Sequence, residues 1–582
     1  MKFEKLNIIF RIFSYLKPFL LKTVFVIFLM IIVMIINLIN PYFFKVAIDK
    51  YIANNDLNGL FMIGGLILLL NIISLFLSRI RIIEMGKITN KIVLNIRHEL
   101  YEHIQKLSFS FFDSRPVGKI LARVVNDVNS LQQLFANSIT SLIPELLTLI
   151  FVAAIMFYMN YKLALASMII LPLLIIGLFL IETISRKRWM EYRNNRSELN
   201  AFTHEAISGI RVVKTFTAEN KTNNRFKLLT NKMMNSFVNA VKINDWFWAM
   251  VFVSWGIGSV VVFYLSVKMI NLNEVTVGTV VAFVGYISMF WRPIMNLSNF
   301  YNSLVTNISA AERIFEILDT EPNIVNPENA EIMPKINGHI EFKNVYFSYD
   351  RDIVLNNVSF KINPGETIAL VGPTGAGKTT IVNLISRFYD PQKGQILIDG
   401  YNIKNVDLES LRSQMGIMLQ DTFLFSDTIK NNIKYGKLDA TDEEIIKAAK
   451  SVHAHEFIMK LEKGYDTDVN ERGVRLSIGE RQLISFARAL LANPSILILD
   501  EATSNIDTHT EKLVQDGIKK LLKGRTSFVI AHRLSTIRNA DRIFYIDNGR
   551  IIETGNHSEL MRKKGYYYNL YISQFKFLEI GA

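Results

Sequence analysis

Gly372-Pro373-Thr374-Gly375-Ala376-Gly377-Lys378-Thr379-Thr380 fits the spacing G-x-x-x-x-G-K-[ST], with Gly372, Gly377, Lys378 and Thr379 in the fixed places. A glycine-rich turn of this kind lets backbone N–H groups surround phosphate oxygens. Lys378 can then reach the outer phosphates of a nucleotide, and the Thr379 hydroxyl can hold Mg²⁺. Further along, Ser495-Ile-Leu-Ile-Leu-Asp500 reads as a buried strand that delivers Asp500 and Glu501 at its end. Asp500 is suited to coordinate Mg²⁺ directly or through water, and Glu501 to act as general base on an attacking water. Ser527-Phe-Val-Ile-Ala531 ends in His532, placed to contact the γ-phosphate and orient that water.

These residues need a parallel sheet to hold them. Thr367-Ile-Ala-Leu-Val371 is a short apolar run before the glycine-rich turn, and a helix is predicted to start at Thr380. Residues 339–349 alternate like a strand, and Ile546-Asp-Asn-Gly-Arg-Ile551 reads as a hairpin with an Asn-Gly turn. The stretch 321–334 is polar and contains proline, as a linker would.

The first half has another character. Half of the 582 residues are hydrophobic, mean hydropathy is +0.24, and the formal net charge is +13. The chain has no cysteine, which excludes disulfides and thiolate metal sites. Residues 1–22 are basic and amphipathic and are expected to lie on a membrane surface. They lack the pattern of a removable signal peptide. Long apolar runs follow at 23–44, 57–78, 128–161 (with one charge, Glu145), 163–181, 246–267 and 275–301, the last interrupted by Arg292-Pro293. The connections after the second and fourth runs are long and basic, whereas the others hold few charges: Lys45 and Lys50, then Lys162, then Lys268. The positive-inside rule then places both termini and both long connections in the cytoplasm of a multi-pass protein of the cytoplasmic membrane. This distribution accounts for the positive charge without nucleic acid as a partner. The long connections read as helices leaving and returning, with tips near Phe111-Phe-Asp-Ser-Arg-Pro-Val-Gly118 and Glu205-Ala-Ile-Ser-Gly-Ile-Arg-Val-Val-Lys214.

Leu476-Ser-Ile-Gly-Glu-Arg-Gln482, lying between the phosphate loop and Asp500-Glu501, resembles the signature motif of ATP-binding cassette (ABC) proteins. Six spans before one cassette resemble an exporter half-transporter, and the likeness covers essentially the whole chain. Phe111-Phe-Asp113 with Gly118, and Ala310-Ala-Glu-Arg-Ile-Phe315, look like that family's membrane-domain motifs. The resemblance implies that Tyr349 stacks on adenine and that Gln420 senses Mg²⁺ and γ-phosphate. It also implies that 467–473, containing Glu471, touches the coupling tips, and that Ser504-Asn-Ile-Asp507 crosses the dimer interface. Where the family has Leu-Ser-Gly-Gly-Gln, this chain has Leu476-Ser477-Ile478-Gly479-Glu480. Ile478 and Glu480 are expected to weaken the ATP half-site that this signature forms on the opposite cassette.

The fold expected is an α-helical six-span transmembrane domain followed by an α/β P-loop ATPase domain. Its parts are a surface helix (1–22), the membrane domain (23–311), a linker (312–338) and the nucleotide domain (339–582). The function expected is ATP-driven export of amphipathic drugs, lipids or lipid-like compounds across the lipid bilayer by alternating access. ATP and Mg²⁺ are the cofactors, and the second half-transporter subunit is non-identical. Competing readings are a homodimeric exporter of peptides or lipids and an ATP-gated channel or regulatory membrane ATPase. Glu145, one residue after Pro144 at mid-span depth, is costly there. It either faces the cargo pathway and selects cations or makes a helix-packing hydrogen bond.

Overall fold

The computed structural model describes residues 2–137, 142–169, 171–272, 274–349, 352–418, 422–470, 473, 475–501, 508–531 and 534–579. The chain divides into two compact units, Met1–Gln105 with Gly118–Asp319, and Lys106–Val117 with Thr320–Ala582.

The first unit is helical. In chain order it contains α1 (Lys2–Ser14), α2 (Leu20–Val46) and α3 (Leu57–Lys106), whose last residue enters the second unit. The short α4 (Phe109–Asp113) belongs to the second unit. The chain then returns through α5 (Val117–Ala122), α6 (Val128–Asn137), α7 (Ile143–Met159), α8 (Tyr161–Met168), α9 (Leu171–Ser208), α10 (Ile210–Thr215), α11 (Glu219–Asn271) and α12 (Val277–Leu318). Among the described residues, Lys17–Ile52, Leu57–Lys106 and Glu219–Asn271 are long and apolar enough to cross a membrane, and Ile143–Met159 and Val277–Phe290 are shorter apolar helices. Helix is the form these sequences must take in lipid, because it satisfies every backbone polar group within the segment. The 50 residues of α3 and 53 of α11 amount to roughly 75–80 Å of helix each, well beyond a bilayer's hydrocarbon thickness.

Arg292-Pro293 interrupts the apolar run, whose helical part is Val277–Phe290, but not the helix: α12 runs through Pro293 for 42 residues. Proline removes one backbone donor, and a long membrane helix with packed neighbours tolerates that loss. Asn160 turns the α7–α8 hairpin, its side chain accepting from the Leu163 N–H at 3.1 Å. α1 is fixed to the end of α12 by Arg11, which makes bonds of 2.7 and 2.8 Å to Asp319 and lies over the Phe315 ring.

Asp127 is an enclosed ion-pair carboxylate of this unit. Arg313 reaches it through Nε at 2.9 Å and Nη2 at 2.5 Å, and Arg123 through Nη1 at 3.1 Å. Removing one member of a buried pair leaves an uncompensated charge. Asp127→Ala is therefore expected to destabilise the first unit by about 3 kcal/mol, the low end for such pairs because Arg313 keeps some solvent contact. Thermal unfolding in detergent is the measurement, and an unchanged midpoint would refute the assignment.

The second unit carries two sheets. The antiparallel one contains β1 (Ile340–Tyr349), β2 (Asp352–Ile362), β4 (Lys393–Ile398) and β5 (Tyr401–Asn402), in the order β2-β1-β4-β5. The other contains β3 (Thr367–Val371), β6 (Met415–Met418), β7 (Ile496–Glu501), β8 (Thr526–Ala531), β9 (Arg542–Asp547) and β10 (Arg550–Gly555), in the order β10-β9-β3-β8-β7-β6. Its pairings are parallel apart from β9–β10. The turn after β9 has Asn548 and Gly549 at φ 45° and 69°, as a two-residue Asn-Gly hairpin requires.

The parallel strands read as continuous apolar runs because both faces are buried. Ile368, Leu370, Ile498 and Ile530 point into a core shared with the antiparallel sheet. Their neighbours Ala369, Val371, Leu499 and Val529 point into a second core on the other face. α13 (Lys378–Ile385) follows β3, and α14 (Leu408–Arg412) precedes β6; the second core includes residues of α15 (Ile429–Lys434), α16 (Asp442–Ser451), α17 (Ala454–Ile458) and α18 (Ile478–Ala492).

Candidate functional site

Strand β3 leads into the glycine-rich turn and α13, and β8 separates β3 from β7. Leu370 pairs with Ile530 on one side of β8, and Asp500 pairs with the same residue on the other. The carboxyl ends of β3, β8 and β7 therefore lie together at one sheet edge, the place where open α/β sheets take ligands.

Two glycines in this turn have no substitute. Gly372 has φ 146°, and a Cβ there would meet the Ile546 carbonyl oxygen. Gly377 has φ 104°, and its Cβ would meet Leu355 and the Val354 carbonyl. Gly375 is also left-handed, at φ 82°, while Pro373, Thr374 and Gly375 are exposed and Ala376 is buried. Lys378 Nζ donates to the carbonyls of Gly372 and Pro373, both at 2.8 Å. The turn thus holds its own cation over its mouth. Burial lowers the Lys378 ammonium from its ordinary value, and the Asp500 carboxylate opposes that shift. Thr379 is exposed and Thr380 is buried in the first turn of α13.

No group of three or more His, Cys, Asp or Glu placed to hold a metal ion is present among the described residues. Magnesium held by one or two protein groups and substrate phosphates needs no such cluster, so the Thr379 hydroxyl and Asp500 carboxylate fit that ion. The Glu501 backbone pairs with Ala531 at the end of β7. The Glu501 side chain, His532, Gln420, Glu471 and Asp507 lie outside the described residues.

Tyr349 ends β1 and is half-buried. Its hydroxyl meets Asn383 Nδ2 of α13 at 3.4 Å. Phe347 and Tyr389 meet its ring edge-on, with centroids 4.8 and 5.1 Å away. Tyr389 was not among the expected site residues. Its hydroxyl donates to the Asp113 carboxylate of α4, and the adjacent Phe388 ring lies 4.2 Å from that of Phe109. A segment located in sequence between apolar runs is thereby packed into the nucleotide unit.

At the signature, Leu476 is buried and Ser477 caps α18. Ser477 Oγ accepts from the Glu480 N–H at 3.3 Å, and Glu480 Oε2 accepts from the Ser477 N–H at 2.8 Å. This is a reciprocal capping box. The Glu480 carboxylate is folded back on its own helix terminus. Ile478 is 39% exposed and Gly479 is buried. In the other unit, Glu145 lies in the first turn of α7 and accepts from Asn296 Nδ2 of α12 at 2.6 Å.

A phosphate loop at the carboxyl edge of a parallel sheet, carried on one chain with membrane-length helices, defines a membrane-linked nucleotide hydrolase. Residues 23–294 match the ABC transporter transmembrane region, and residues 355–504 match the ABC transporter family. An uncharacterized ABC transporter ATP-binding protein of Bacillus subtilis is 44% identical over 97% of this chain and 94% of its own length. An ATP-dependent lipid A-core flippase of Syntrophus aciditrophicus is 42% identical over 92% of this chain and 89% of its own. A putative multidrug export ATP-binding/permease protein of Staphylococcus aureus is 37% identical over 97% and 99%. The solved structure of a bacterial Atm1-family ABC exporter with ATP bound superposes with a TM-score of 0.76 at 28% identity, covering 95% of this chain and 98% of that one. The chain belongs to the ABC transporters of the exporter type. It is a membrane protein and an ATPase whose hydrolysis is coupled to transport.

Proposed function

We propose that this chain is the catalytically complete subunit of a heterodimeric exporter of amphipathic compounds in the cytoplasmic membrane, with both termini in the cytoplasm. ATP lies between the phosphate loop of one cassette and the signature of the other. Tyr349 carries the base, Lys378 and the turn from Gly372 to Thr380 hold the phosphates, and Gln420 and His532 sense the γ-phosphate. Glu501 is the general base. Thr379, Asp500 and Gln420 hold Mg²⁺, which neutralises phosphate charge. Glu471 bears on the coupling tips and Asp507 on the dimer interface.

One observation carries the heterodimer. The phosphate-handling residues of this cassette are all present, while its signature has Ile478 and an anionic, self-capping Glu480. A defect confined to the signature harms only the partner's site. Co-purification from the native membrane tests it: a stoichiometric, non-identical second half-transporter supports the proposal, and a single polypeptide species refutes it. Cargo-stimulated ATPase activity with net uptake into inverted vesicles distinguishes a pump from an ATP-gated channel.

Glu145 is proposed to favour cationic cargo, with Asn296 orienting its carboxylate. Glu145→Gln keeps a hydrogen-bonding side chain and removes the charge. It is expected to lower transport of cationic relative to neutral compounds several-fold in the vesicle assay. An unchanged profile would assign Glu145 to helix packing alone.

A further inference from the structure

The antiparallel sheet stops one step short of the side chain it has to present. β4 begins at Lys393, and its pairing with β1 ends at Tyr346. On the other side of β1, pairing with β2 continues to Tyr349, opposite Asp352. The Ser348 backbone, next to Tyr349, therefore has no β4 residue to meet, and an unmet strand edge loosens. We propose that Gln392 is a positioning residue that completes this edge and so holds Tyr349 where a nucleotide base can stack on it. The inference rests on the reading of Tyr349 as base platform given above.

Gln392 makes three bonds to β1. Its backbone N–H donates to the Tyr346 carbonyl at 3.1 Å. Its side-chain Oε1 accepts from the Ser348 N–H at 2.9 Å, and its Nε2 donates to the Ser348 carbonyl at 2.9 Å. A primary amide carries a carbonyl and an N–H in one plane, the pair that a peptide group offers to a neighbouring strand. The side chain thus stands in for a strand residue just before β4 starts. The residue ahead of it, Pro391, is buried, and its carbonyl accepts from Lys404 Nζ at 2.9 Å. A fixed proline φ and that bond deliver the amide from a firm base.

Tyr349 follows Ser348 directly, so fixing the Ser348 peptide groups fixes the backbone from which the ring projects. The ring has a second hold at its hydroxyl, where Asn383 Nδ2 lies 3.4 Å away, long for a hydrogen bond. The backbone is the firmer of the two constraints. Gln392 is itself exposed, so its bonds order a strand end rather than carry the stability of the domain. Their value lies in preorganisation, because a side chain that must be ordered on binding subtracts from affinity.

A ligand without a base separates platform positioning from general damage to the site. Inorganic tripolyphosphate has the phosphates of ATP and nothing to stack. The full-length protein in lipid nanodiscs, with any subunit that co-purifies, is photolabelled by azido-ATP. Labelling is read on this polypeptide, with ATP or tripolyphosphate as competitor. Gln392→Met keeps the length and removes both side-chain bonds. It is expected to raise the competition constant for ATP about five-fold, the low end of base–aromatic stacking, and to leave that for tripolyphosphate within about two-fold. Gln392→Ala should behave alike, and reads the same contact if Gln392→Met does not fold. Tyr349→Ala should raise the ATP constant at least as much, and combining it with Gln392→Met should add nothing, because no platform remains to be positioned. An unchanged ATP constant in the Gln392 variants, beside a raised one in Tyr349→Ala, would overturn the positioning role and leave the platform standing. An equal rise for both ligands would overturn it too. An unchanged ATP constant in Tyr349→Ala would remove the platform, and the inference with it.

Discussion

Glu501→Gln is expected to reduce ATP turnover by about 10²–10⁴-fold, the usual contribution of a general base, while ATP binding is retained. The position supports this. β7 is an inner strand, paired with β8 on one side and β6 on the other, and it delivers Asp500 and then Glu501 to the edge where the phosphate loop opens. Asp500 is close enough to Lys378 to oppose the loss of its charge. Glu501 follows it in the strand, and its backbone pairs with Ala531 at that same edge. Glutamine preserves size and removes basicity, so binding and chemistry separate. Lys378→Ala is expected to impair both, because it removes the cation that the Gly372 and Pro373 carbonyls hold at the mouth of the loop. Nucleotide binding measured by filter retention, beside single-turnover hydrolysis, checks both variants. Hydrolysis by Glu501→Gln at the parent rate would end the general-base assignment.

The second large effect concerns the signature and depends on the company the chain keeps. Restoring Ile478→Gly and Glu480→Gln removes a branched side chain from the first turn of α18 and a charge from its N-terminus. Glutamine is an accepted capping-box partner, so the Glu480→Gln change keeps the reciprocal bond to Ser477 and costs little stability. The double variant therefore reports on the ATP half-site rather than on folding. In a heterodimer, the site completed by this signature lies on the partner's phosphate loop. If that cassette lacks its own base, repairing the signature raises turnover less than about two-fold, because the general-base contribution is still missing. In a homodimer, both sites are repaired at once beside an intact Glu501, and turnover is expected to rise more than about ten-fold. Steady-state ATPase assays of the variant, with vanadate trapping to count equivalent sites, separate the two cases. Vigorous cargo-stimulated hydrolysis by this chain purified alone, with two equivalent sites, would sink the heterodimer.

The phosphate loop, the strand edges and the Asn548-Gly549 hairpin were legible in the residues because each is a local demand of the backbone. A left-handed φ at Gly372 and Gly377, and an apolar run buried on both faces, leave their mark within ten residues. The alternation of apolar runs and basic connections was legible for the same reason: a bilayer imposes it segment by segment. The capping box at Ser477 and Glu480 was also written locally, in the spacing S-x-x-E ahead of a helix, although the family motif at the same residues points to phosphate instead.

Other features were not legible, and particular residues show why. Arg292-Pro293 ends the apolar run in the sequence, yet α12 continues past it to Leu318, because a long helix with packed neighbours tolerates one lost backbone hydrogen bond. Glu145 is recognisable as costly, but nothing near it names Asn296, 151 positions away, as its donor. Arg313 and Asp127 are separated by 186 positions, and Tyr389 and Asp113 by 276. Local rules act over a turn of helix or a strand pair, so they specify which backbone forms and which faces are apolar. Partners across such distances are chosen by packing, in which every side chain's volume and every buried charge must be satisfied at once, and that solution belongs to the folded chain as a whole.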